Sequence, residues 1–257
     1  MNPIIRYIGI AAIGVASFGA SIAAEVGIPA KGGHPEYLFI DKVPREQGPA
    51  TAALIATALA KGRMIIFSQM PKLTDPKLGE KGFTADYFGK SWVAALEPEL
   101  ITLTSEQQPI FDKLVWAGRQ SIDNNQDRLN MKGVGWKHYL PAKWAREAGL
   151  MLNSRTGVVT RQPSINYRHP SNAPDARERE ILTRFTRTDY DGKPFGEYTT
   201  MGKQSVYRYY DPVRLLEPCL ACHGTPKGEL DKLGYEKDGL AAGDVFGMIS
   251  VTVAVDN

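Results

Sequence analysis

The sequence predicts an α+β fold with an antiparallel sheet, on two observations. Apolar residues recur at helical spacing in several stretches up to about residue 186, and β-branched and aromatic runs set off by glycine turns come after it. Helices first and strands later is the order of a segregated α+β domain.

The elements follow in chain order. Gly48-Pro49 opens ATAALIATALA, where Leu54, Ile55, Ala58 and Leu59 share a helical face and Pro49 suits a first helical position. After Gly62 the run RMIIFSQM is short and apolar, and PKLTDPKLGEKGF reads as a loop from its Pro, Gly and Asp content. Ser105 precedes a periodic stretch with Ile110, Leu114 and Ala117 on one face and Phe111, Val115 and Ile122 beside it, which predicts a helix over about 105–127. Pro141 starts PAKWAREAGLMLN, a helix expected to end before Gly157. Asn172 is the expected cap, before Pro174, of a helix over about 174–186, with Asp175 and Glu178 in a first turn whose partial positive charge favours carboxylates. Asp191-Gly192 and Gly202-Lys203 then punctuate a region in which EYTTM, SVYRYYDPV and FGMISVTVAV have the content of strands.

At 257 residues the chain has room to bury a sizeable core, and no internal repeat or low-complexity segment divides it. Only the start stands apart. Residues 1–7 carry one positive charge, Arg6, and no acid; residues 8–20 are uncharged, and Ser21-Ile22-Ala23-Ala24 supplies small residues, the order of a cleavable secretory signal. Glycines and serines dilute that stretch, which favours cleavage near Ala23 or Ala24 over a membrane anchor. The expected domains are thus a signal peptide over 1–24 and one exported, periplasmic domain over 25–257; contact with a membrane is expected only if the signal stays uncleaved. Its removal takes one Arg and leaves 30 basic against 28 acidic side chains, with no Lys/Arg run that would suit a nucleic acid.

The chemistry concentrates in EPCLACHGTP, where Cys219 and Cys222, the only two cysteines, stand beside His223. A disulfide across two intervening residues would constrain little of the unfolded chain. Zinc wants four ligands, usually from two such knuckles, and there is no second knuckle. A redox dithiol at a helix N-terminus within a βαβ unit fits poorly, because no long amphipathic helix follows. Covalent attachment of one haem c fits: cysteines three positions apart put both sulfurs on one side of a turn for thioether formation, and the next residue brings its imidazole to the iron. Export agrees with it.

Three segments carry a family resemblance: Arg168-His169-Pro170-Ser171-Asn172-Ala173-Pro174, Cys219 to Gly224, and Gly243-Asp244-Val245-Phe246-Gly247. Their order is similar to that of the PAS-like monohaem c-type cytochrome family, a former domain of unknown function found also as the sensor part of bacterial signalling proteins. His169 departs from the Asn usual there. Over about residues 49–255 the resemblance implies a PAS-like antiparallel sheet with an N-terminal helical layer, a haem attached at Cys219 and Cys222, and His223 as proximal iron ligand.

What stands opposite His223 decides the function, because the sixth ligand sets whether iron exchanges electrons or binds a gas. Both cysteines are spent on thioethers. His138, in GWKHYLP, is the leading distal candidate, in the region where the resemblance puts the distal wall; His169, Met64 and Met70 are alternatives, and His34 reads as exposed. Arg168 suits a haem propionate or an ordinary surface ion pair. The chain stops at Asn257, just past the last strand, so an electron carrier or redox-responsive protein with a redox partner is expected before a haem-based sensor of NO, CO or O₂. A peroxidase is less expected, since no distal acid–base pair is evident.

Overall fold

A computed structural model describes residues 38–257; the predicted signal segment and His34 lie outside them. The first element, α1 (Gly48–Leu73), carries Pro49 in its first turn and runs straight through Gly62. Gly62, after which a separate short apolar run was read, is a packing notch: a Cβ there would lie 2.1 Å from the Trp144 ring. The run RMIIFSQM therefore continues the same helix, and the loop begins only after Leu73.

Thr84 accepts a hydrogen bond from the Tyr87 N–H and starts α2 (Ala85–Ala95), followed by the short α3 (Glu97–Leu100). The stretch expected as one helix over about 105–127 is divided into α4 (Gln108–Asp123) and α5 (Gln126–Asn130). Asn125 causes the division, since its side chain donates to the Ser121 carbonyl at 2.8 Å and so competes with the helical ladder. Then α6 (Pro141–Thr156) ends at Gly157, whose φ of 80° is a left-handed cap. Around Gly62 the rings of Phe88, Trp92 and Trp144 meet at centroid distances of 5.0–5.3 Å, and both indole N–H groups are satisfied, by Ala58 and Gly118 carbonyls.

After β1 (Val159–Arg161) comes α7 (Ala176–Phe185). Its cap is Asp175 rather than Asn172: Asp175 and Glu178 satisfy each other's backbone N–H in a capping box, while Asn172 ends a separate 3₁₀ turn. The remaining strands are β2 (Phe195–Met201), β3 (Gln204–Arg214) and, after a long excursion holding α8 (Leu220–His223), β4 (Val245–Ala254). They form one antiparallel sheet in the order β1-β4-β3-β2. The architecture is α+β.

Both faces of β4 are covered, which explains its unbroken apolar reading. Ile249, Val251 and Val253 join the core formed with α1, α2, α4 and α6; Met248 and Tyr210 face Ile181, Leu182 and Phe185 of α7. By length and composition α1 could cross a membrane, and its position against the sheet and three helices accounts for that composition.

Candidate functional site

The excursion between β3 and β4 is closed at its base: Leu215 N–H donates to Asp244 O at 2.9 Å, and Gly243 N–H to Leu215 O at 2.8 Å. Pro218 stands in the first turn of a 3₁₀ segment, Glu217–Cys219, that passes directly into α8. Three-residue separation puts Cys219 and Cys222 on one side of this turn, both half-buried free thiols. Gly224 then leaves the helix where a Cβ would lie 2.6 Å from the Leu220 carbonyl oxygen.

His223 is held from two directions. Its Nδ1 lies 2.6 Å from Asp238 Oδ2, and its ring centroid is 4.1 Å from that of Phe246. A carboxylate acceptor assigns the hydrogen to Nδ1 and leaves the Nε2 lone pair for a metal. Burial lowers the pKa of the ring although Asp238 opposes it, so the neutral form that can act as a ligand is favoured. For Cys222, burial and then Asp231 push the thiol pKa up, which suits a protonated thiol rather than a nucleophilic thiolate.

Arg168 ties the segment together. Its guanidinium donates to Asp231 Oδ2 at 2.7 Å, to the Cys222 carbonyl at 2.7 Å, to the Glu236 carbonyl at 3.0 Å and to Asp238 Oδ2 at 3.4 Å. It is therefore neither a surface ion pair nor a group turned outward. Asp231 also accepts from Leu233 and Tyr235 N–H groups; these and Arg168 keep its pKa below the usual range although burial opposes them. Leu240 N–H bonds the His223 carbonyl at 3.0 Å, completing the return of the loop onto α8.

The residues from Gly243 to Gly247 acquire separate roles. Gly243 turns with φ 89°, Asp244 accepts from Ala241 N–H at 2.8 Å, Phe246 backs His223, and Gly247 leaves room for the Pro163 carbonyl, 2.7 Å from where a Cβ would stand. His169, where the resemblance leads one to expect Asn, accepts from Ser171 N–H through Nδ1 at 3.2 Å, as the oxygen of an Asn side chain can.

The structure brings Cys222, His223 and Arg168 together with Cys219 on the same turn, and among the described residues no hydrogen bond or ring contact joins His138, His169, Met64 or Met70 to them. His138 is exposed in the loop before α6 with φ 55°, and no hydrogen bond or ring contact joins it to His223. That loop sits on the C-terminal end of α1, through Lys137 Nζ to Leu73 O at 3.1 Å and Gly133 N–H to Pro76 O at 2.8 Å. His169 is exposed, Met64 is exposed on α1, and Met70 packs on the core. Asp238 and Asp231 were not legible as site residues, and Phe246 was legible only as part of the Gly243–Gly247 segment, with no role attached. An acid 15 positions beyond a histidine carries no periodic signal, and only the folded loop makes it a neighbour.

The model of the Tll0287-like family matches residues 69–254. Among solved structures, that of the cyanobacterial heme-protein Tll0287 shares 19% identity and aligns with 59% of this chain and 97% of its own, with a TM-score of 0.39. No curated protein matches. With the match running from the last turns of α1 to the end of β4, the chain belongs to the Tll0287-like family.

Proposed function

We propose that this protein is an exported, PAS-like monohaem c-type cytochrome that carries electrons or responds to redox state. The observation that carries the reading is the arrangement at α8: two free thiols on one side of a turn, followed by an imidazole whose Nδ1 is held by Asp238 while Nε2 is left for iron. The donor set fits the group. Cys219 and Cys222 are the thioether donors, and His223 is the proximal ligand. When bound, the haem supplies a one-electron iron couple.

The surrounding residues favour electron exchange through rigidity. Arg168 fastens the Cys222 carbonyl and Asp238 at once, and Phe246 limits rotation of the imidazole, so the proximal side needs little rearrangement when the iron charge changes. Membership of a family with a solved heme-protein supports the cofactor, and the four-stranded antiparallel sheet with its helical layer supports the PAS-like description. Export rests on residues 1–24, with a periplasmic redox protein as the partner expected. His138 is the first residue to test as sixth ligand, then Met70, Met64 and His169. No catalytic role is proposed.

Optical spectra of the oxidised and reduced protein, with and without CO, test the function. A low-spin spectrum indifferent to CO is expected for the carrier; high-spin iron that binds CO at once would make it a gas sensor. With His138→Ala, an unchanged spectrum removes His138 from the iron.

A further inference from the structure

Helix α1 lies along β3 and β4 with its start against the end of the sheet remote from α8, where Gly48 touches Tyr207 and Val255. Arg63 comes fifteen residues later, about 22 Å along the helix axis. Tyr207 to Val213 covers about 20 Å of β3, after which the chain turns through Leu215 into Cys219. Arg63 is thus carried to the end of the sheet where the two thiols stand. The electrostatic neighbour of its guanidinium is Cys219.

The Arg63 guanidinium has no hydrogen bond and no ion pair among the described residues, whereas Arg161, Arg168 and Arg208 each face carboxylates. Part of its side chain still reaches solvent, yet the protein around the guanidinium is dense enough that burial lowers its pKa. An arginine stays charged under such conditions, and an unpaired, partly desolvated cation is costly unless a compensating group arrives. The family match begins at residue 69, after Arg63, so the family assigns this position no role.

We propose that Arg63 is a cofactor-facing cation: its guanidinium holds a fixed positive charge on the Cys219 side of the haem site and raises the reduction potential, because that charge disfavours ferric iron more than ferrous iron. This rests on the haem reading above.

The test compares wild type, Arg63→Gln and Arg63→Lys, produced with export and haem-attachment machinery. Covalent haem is read first by haem staining of a denaturing gel, then the midpoint potential by spectroelectrochemistry. Arg63→Gln is expected to shift the ferric-to-ferrous balance about tenfold toward ferric, about 59 mV lower for a one-electron couple. Arg63→Lys, which keeps the charge, is expected to restore most of it. An unchanged potential in Arg63→Gln, or equal lowering in both variants, would overturn the proposal while leaving the haem reading intact. Loss of haem from both variants would also overturn it, since Arg63 would then be a structural residue. Wild type without covalent haem would instead defeat the proposed function.

Discussion

His223 and Asp238 are linked by a 2.6 Å bond, and this bond sets how strongly the imidazole donates through its other nitrogen. Removing the acceptor weakens that donation and disfavours ferric iron. Asp238→Asn is therefore expected to raise the midpoint potential of the loaded protein, measurable by potentiometric titration, with covalent haem retained. Arg168 acts on the same pair from behind. Its loss would leave Asp231, wholly buried, and Asp238, nearly so, without their cation, and breaking a buried pair in this way costs about 3–5 kcal/mol. Arg168→Ala is expected to lower the urea midpoint strongly and to reduce haem attachment; a stability equal to wild type would show that the clamp is dispensable.

At the scale of elements, Gly62 and Gly118 explain why three aromatic rings can occupy the space between α1, α2, α4 and α6. A methyl group on Gly118 would lie 2.2 Å from the Trp92 ring, much as one on Gly62 meets Trp144. Gly62→Ala ought to help an isolated helix by about 1 kcal/mol, but the overpacking here is expected to outweigh that gain and give a net loss of about 1–2 kcal/mol by urea denaturation. A stabilised Gly62→Ala protein would contradict the packing. The same glycine shows what a sequence conceals: locally it reads as a break, and only the indole from residue 144 shows that it is a notch inside a continuous helix. The three long strands were legible because β-branched and aromatic runs between glycine turns have few other uses. The cap of α7 was misplaced by three residues, since Asn172 and Asp175 both satisfy the local rule and the reciprocal bonds with Glu178 decide between them. The run from Cys219 to His223 was legible as a cluster of ligand-type side chains, whereas its support comes from Asp231 and Asp238 in a loop whose closure no periodicity announces, and from Phe246 at the start of β4.

The whole molecule joins two ends through α1, with Arg63 toward the thiols and Leu73 toward the loop bearing His138. Lys137 caps that second end and is buried beside Lys81; burial first, and Lys81 next, lower its pKa from 10.5 to about 8. Between about pH 8 and 10.5 the unfolded chain binds more protons at this site than the folded one, so this lysine makes stability rise with pH across that window. Lys137→Met is expected to flatten the rise in chemical denaturation midpoints over that range; an identical slope would rule out the effect.

The proposed function rests on one haem held covalently by Cys219 and Cys222, with His223 on its iron. Intact-mass spectrometry of the exported, denatured protein tests it most directly. Wild type is expected to carry the mass of a single haem that acid-acetone extraction cannot remove, and the double variant Cys219→Ala, Cys222→Ala is expected to carry none. A wild-type chain of bare polypeptide mass, produced in cells that load a control cytochrome c, would contradict the account.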